Sequence, residues 1–171
     1  MNATPLLSFP VGVVVERHKA TSPWLDFVWR PVSILVGMPA AAPWTLLAGG
    51  GDRATFYAGP ASIELYRTET ANYLSNLASA APCLWVVLRQ REHDPPYEVA
   101  AVTADPAEGE AYAETGSNLI ETVPMPAPIL AAIEAFIAEH HVERRFFKRE
   151  RDRGKAPAPG RDRGPPGSGE K

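Results

Sequence analysis

Hydrophobic and polar positions alternate with a period of two near the start of the chain. Val11, Val13 and Val15 face one way, and Gly12, Val14 and Glu16 the other, which predicts a half-buried strand. Thr21-Ser22-Pro23 interrupts the pattern. Leu25 to Trp29 and, beyond Pro31, Val32 to Val36 read as further extended stretches. Ala40 to Asp52 reads as a loop, bounded by Pro43 and by Gly49-Gly50-Gly51. Ala54 to Ala58 and Ile63 to Arg67 are short strand candidates, with Gly59-Pro60 as a turn between them.

The period then changes. Tyr66, Thr70, Tyr73, Leu74 and Leu77 recur at helical spacing, so an amphipathic helix capped by Thr68 is expected, ending before Pro82. Cys83 to Leu88 is a continuous apolar run, the pattern of a strand covered on both faces. A polar turn over residues 89–96 leads to Tyr97–Thr103 as its antiparallel partner. Asp105-Pro106-Ala107-Glu108 predicts a helix start: Asp caps, Pro presets φ, and Glu three residues on completes a capping box. Gly116 predicts the helix stop. Asn118–Val123 is a last strand, and Pro128 opens a helix with Ile129, Leu130, Ile133, Phe136 and Ile137 on one stripe. About seven strands come early and three helices mostly late, so the expected class is α+β with a largely antiparallel sheet.

Charge changes this picture at one place. Residues 142–171 carry ten Lys/Arg against five Asp/Glu, whereas residues 1–141 carry seven against fifteen. Beyond Phe146-Phe147 the tail has only two alanines as apolar side chains, too little to build a core. The organisation expected is an N-terminal extension over 1–8, one domain over 9–147, and a basic, Pro/Gly-rich disordered tail over 148–171. No apolar run approaches the roughly 20 residues of a membrane span, and no secretory signal is apparent. A cytoplasmic setting is therefore expected. Cys83 is the single cysteine and reads as a small buried hydrophobe.

Four groups of residues are candidate sites. Leu46-Leu47-Ala48-Gly49-Gly50-Gly51-Asp52-Arg53 resembles the opening of the nucleotidyltransferases that attach a guanine nucleotide to molybdopterin. That resemblance implies phosphate binding at Gly49, Gly50, Gly51 and Arg53, because bare glycine N–H groups approach anions closely. Against it, the preceding Ala42-Pro43-Trp44-Thr45 is no apolar strand, and Ala54-Thr55-Phe56 stands where Met-Gly and a lysine belong. The plain alternative is a hairpin loop. His140 and His141 are adjacent, hence about 100° apart on a helix, so one face cannot offer both to a metal. No metal and no cofactor are expected.

No serine sits in a nucleophile elbow, and Glu108, Glu110 and Glu114 fit a solvated helix face. The absence of a readable catalytic set points away from an enzyme. Trp24, Trp29 and Trp44 lie in or beside loops, with Arg30 adjacent, a composition suited to a protein interface as well as to core filling. On an extended Leu25–Trp29 segment, Trp24 points away from the face that Trp29 shares with Phe27 and Leu25. Arg144, Arg145, Lys148 and Arg149 in the basic segment complete the expected partner-binding set. Weak nucleic-acid binding through this tail is a further alternative, with Glu150 and Asp152 reducing its local field.

Several segments carry a domain-wide resemblance. They are Val13-Val14-Val15-Glu16-Arg17, Pro23-Trp24, Trp29-Arg30-Pro31-Val32, Trp44, Tyr57-Ala58-Gly59-Pro60 and Glu64 through Thr70 with Tyr73 and Asn76-Leu77, followed by Val86-Val87-Leu88-Arg89, Val123-Pro124-Met125-Pro126, His140-His141 and Phe147-Lys148-Arg149. Together they resemble a family of proteobacterial domains of unknown function, commonly encoded beside formate dehydrogenase and its maturation genes. The resemblance implies a non-catalytic accessory protein supporting assembly or maturation of a molybdenum-dependent formate dehydrogenase. The expected partner is then a dehydrogenase subunit or a maturation factor. A molybdopterin-guanine dinucleotide handling protein is the alternative.

Overall fold

A computed structural model describes residues 3–143. Seven strands form two antiparallel sheets: β1 (Leu7–Lys19), β2 (Phe27–Val36), β3 (Thr45–Gly50) and β4 (Arg53–Leu65) in the order β2-β1-β4-β3, and β5 (Cys83–Gln90), β6 (Tyr97–Thr103) and β7 (Asn118–Pro124) in the order β6-β5-β7. The helices are α1 (Thr70–Leu77), α2 (Pro106–Glu114) and α3 (Ala127–His140). The α+β class with antiparallel sheets is as expected. The basic tail, with Arg144, Arg145, Lys148 and Arg149, lies outside the described residues.

Val11, Val13 and Val15 are fully buried, and they pack with Ile63, Leu65, Leu84, Val86 and Leu88 in one core. β4 lies against β6 and β2 against β7, so the two sheets close around that core. At the end marked by Leu7 and Leu65, α3 seals it with Ile129, Ile133, Phe136 and Ile137. Phe136 meets buried Tyr73 of α1 edge-on at 6.2 Å between centroids. α2 covers the outer face of β5. Gly109 lies against Trp85 there, and Val87 is fully buried. This explains why β5 is apolar at consecutive positions.

The structure redraws several of the expected strands. Leu25–Trp29 and Val32–Val36 belong to one strand, because Pro31 sits at a bulge on the sheet margin opposite Val15, where its missing N–H costs no ladder bond. Gly59-Pro60 is not a turn. β4 runs through it, with a register shift opposite Val13 and Val14, and Gly59 takes φ +142. Pro60 pairs with Gly12 beyond the reach of β3, so only one neighbour needs its backbone. The expected loop over Ala40–Asp52 contains β3, which pairs with β4 from Thr45↔Tyr57 to Gly50↔Arg53.

The helix starts also differ. A 3₁₀ turn over Arg67–Glu69 precedes α1, whose N-cap is Glu69 with no side-chain cap bond. Thr68 instead donates to the Glu69 carboxylate at 3.0 Å. Leu74 is exposed rather than on the buried stripe. Asn76 is buried in its place, donating to Cys83 O and Ala104 O and accepting from Cys83 N. Asp105 caps α2 by accepting from Ala107 N and Glu108 N at 2.9 and 3.5 Å. The box is not reciprocal, however. Glu108 accepts from Thr103 Oγ1 at 2.6 Å, and Asp105 N donates to that same hydroxyl.

Candidate functional site

Three connections meet at the end of the domain opposite α3. They are the β1–β2 loop over residues 20–26, the β3–β4 turn at Gly51-Asp52, and the β5–β6 loop over residues 91–96. Each is tied down by backbone bonds. Ala20 N donates to Asp26 O at 3.0 Å, Lys19 N to Asp52 O at 2.7 Å, and Arg91 N to Pro96 O at 2.8 Å. Arg91 Nε adds a bond to Pro95 O at 2.6 Å. Gly51 holds φ +58 and is followed by an aspartate without positive φ, the dihedral pattern of a tight II′ hairpin turn.

Beneath these loops lies an aromatic cluster. Trp29 packs edge-on against Trp44 at 5.5 Å and lies within 6.0 Å of Phe56 and 6.4 Å of Tyr97. Arg17 continues the inward register of Val11, Val13 and Val15, and its guanidinium stacks 4.2 Å from the Phe27 ring, 5.2 Å from Phe56 and 5.6 Å from Trp29. One bond, from Nη2 to Gly51 O at 3.3 Å, ties it to the hairpin turn, while Nε is buried without a partner. The ring faces replace part of the solvation this cation has lost. Phe27, Phe56, Tyr97 and Arg17 are not among the candidate site residues that the sequence offers. The signal was present in the period of two, which carries the buried face from Val15 onto Arg17.

The loops leave two shallow grooves. One of about 350 Å³ lies between Asp26, Phe27 and Trp29 and the loop of Arg91 to Pro96. The other, of about 490 Å³, lies between Ser22, Pro23 and Leu25 and the turn at Gly51-Asp52. Trp24 stands on the rim, 90% exposed, with Leu25 beside it at 60%. Its backbone N donates to Ser22 Oγ at 3.3 Å, within the loop closed by Ala20 and Asp26.

The candidate residues are distributed as follows. Trp29 and Trp44 sit in the half-buried cluster, with Trp44 at φ +67. Trp24 is outside it. Arg30 is exposed on β2, opposite Glu16. Gly49 and Gly50 are in ladder register with Ala54 and Arg53, and Arg53 pairs with Glu16 at 3.0 Å. His140 contacts the Phe136 ring at 4.6 Å, and His141 shares a 3.0 Å hydrogen bond with Thr70.

Titration behaviour elsewhere reflects packing. Tyr73 is pushed up to about 12 by burial, although its hydroxyl accepts a bond from Tyr66 N at 3.0 Å. Tyr66 is raised to about 12, first by its hydrogen bond to Glu64 and then by burial. Burial also raises the Cys83 thiol, the opposite of what an activated nucleophile requires.

A family model described as Protein of unknown function (DUF3305) matches residues 10–151. The chain belongs to that family. No curated protein and no solved structure matches it. The matched span takes in the whole aromatic cluster and the three loops above it. No helix among the described residues is long and apolar enough to cross a membrane.

Proposed function

We propose that this protein is a non-catalytic docking module whose loop end engages another protein, and that the partner is a subunit or maturation factor of a molybdenum-dependent formate dehydrogenase. The observation that carries the docking reading is Trp24. An indole 90% exposed, beside Leu25 at 60%, sits on a loop held by its own backbone bonds and backed by a packed aromatic floor. A large side chain with only two side-chain torsions loses little entropy on binding, which is why tryptophan anchors so many interfaces. The dehydrogenase assignment rests on the family resemblance of the segments quoted above.

The test is affinity purification of the tagged chain from its native host, in wild-type and Trp24→Ala forms. Recovery of a dehydrogenase subunit or maturation factor by the wild type, with loss in Trp24→Ala, is the expected result. A hot-spot tryptophan contributes on the order of 2 kcal/mol or more, so the affinity should fall by roughly thirtyfold. Recovery of neither class of protein would refute the assignment. Equal recovery by Trp24→Ala would refute the docking surface.

A further inference from the structure

β3 is an uncovered margin of its sheet. Thr45–Gly50 pairs with β4 on one side and has no strand on the other among the described residues, and all six of its residues are exposed. A sheet margin presents unpaired backbone N–H and C=O groups, and proteins protect such margins with Lys, Pro, inward charges, a covering element, a short strand or a bulge. The opposite margin of this sheet is protected: β2 carries Arg30 and Pro31 and lies against β7. β3 is Thr-Leu-Leu-Ala-Gly-Gly, with no charge and no proline, and Leu46 and Leu47 are 51% and 50% exposed. Leu47 falls at the register shift between Leu46 and Ala48.

We propose that β3 takes an extended segment of a partner protein as a fifth strand of this sheet, held mainly by backbone hydrogen bonds. The row of backbone donors and acceptors selects the occupant's conformation, because only an extended chain repeats such groups at matching intervals. A second copy of this chain fits less well. Self-pairing would cross a margin of six residues, short of the roughly 1,200 Å² that a stable interface buries, and would bring two bodies rich in Asp and Glu together. A partner segment is not limited to the length of β3. It can continue past Gly50 to the groove of about 490 Å³ between Gly51-Asp52 and Leu25. The inference rests on the docking reading and specifies the form in which the partner binds.

The experiment pans a phage-displayed library of short random peptides on the full chain and measures the strongest synthetic peptide by calorimetry. N-methylation of alternate backbone amides of that peptide should weaken binding about tenfold or more, the effect of losing at least one net hydrogen bond. Leu46→Pro, which removes a backbone N–H facing the open margin opposite Phe56, should weaken it comparably, with circular dichroism reporting that the domain is folded. The N-methyl effect stands even if that variant does not fold. Failure to select any peptide, or equal binding of the N-methylated form, would overturn the inference. A dimer seen by light scattering and abolished by Leu46→Pro would overturn it in favour of self-pairing. Amide-dependent peptide binding together with no recovery of dehydrogenase proteins from the host would fault the partner's identity and leave the strand site standing.

Discussion

Asn76 holds both backbone groups of Cys83. Its Nδ2 donates to Cys83 O at 2.8 Å, and its Oδ1 accepts from Cys83 N at 3.1 Å. Nδ2 also donates to Ala104 O at 2.9 Å. One buried side chain thus joins α1 to the start of β5 and the end of β6. Asn76→Ala leaves one donor and two acceptors under-satisfied, which is expected to cost about 2–5 kcal/mol. Urea unfolding followed by circular dichroism measures this. A loss under about 0.5 kcal/mol, the range of ordinary surface changes, would show that water replaces the carboxamide.

Gly109 is required by its contact with Trp85. A Cβ at this position would stand 2.3 Å from the indole Cγ, inside any real contact distance. Gly109→Ala gains about 1 kcal/mol of helix propensity, yet the clash should outweigh it, for a net loss of roughly 1–3 kcal/mol. Combining it with Trp85→Val opens the space, and the double variant should lose less than the two single losses added together. Additive losses would place the clash elsewhere.

Arg17 should not tolerate lysine. Its planar guanidinium lies near three ring faces and reaches Gly51 O, whereas an ammonium is compact and strongly hydrated. Arg17→Lys is expected to cost about 1–2 kcal/mol, the scale of a desolvated cation–π contact. It should also shift the tryptophan emission, since a compact, hydrated ammonium replaces the guanidinium plane near Trp29. Unchanged emission and stability would remove the guanidinium plane from any account of the cluster.

Alkali should unfold the domain. Tyr66 and Tyr73 both titrate near 12 in the folded state instead of at 10.0. The folded protein therefore holds protons that the unfolded chain has released, and stability is present below pH 10.0 and lost as pH rises towards 12. Urea midpoints across that window should fall, and Tyr73→Phe should flatten the fall. That variant also leaves Tyr66 N without its acceptor, so its midpoint at pH 7 should drop as well. A slope identical to wild type would assign the effect to other tyrosines.

The β3–β4 turn depends on Gly49, where a Cβ would lie 2.3 Å from Arg53 O at φ +73. Gly49→Ala should destabilise by about 1–3 kcal/mol, the scale of local backbone strain. Gly51→Ala should cost less, because a Cβ at Gly51 meets nothing within 4 Å and only the φ +58 of the II′ position opposes it. Equal losses in thermal melts would show that the tip, and not the ladder, sets the requirement.

Local chemistry determined much of this protein from its sequence alone. The period of two places Val11, Val13 and Val15 inside, although it turns Val14 outward where the packing buries it; the run from Cys83 announces a strand covered on both faces, and Asp105-Pro106 starts α2 where expected. Each of these depends on neighbours a few residues apart. Strand continuity through Pro31 and Pro60 was decided only in the tertiary structure, because a missing N–H is tolerated according to whether another strand needs it. β3 was likewise invisible to pattern: a strand exposed at all six positions has no buried face to mark it, and only the ladder of β4 makes it one. The aromatic floor has the same origin. Arg17, Trp29, Phe56 and Tyr97 are distant in the chain, and pairing of β1 with β2 and β4, with β6 against β4, brings them beneath the loop on which Trp24 stands.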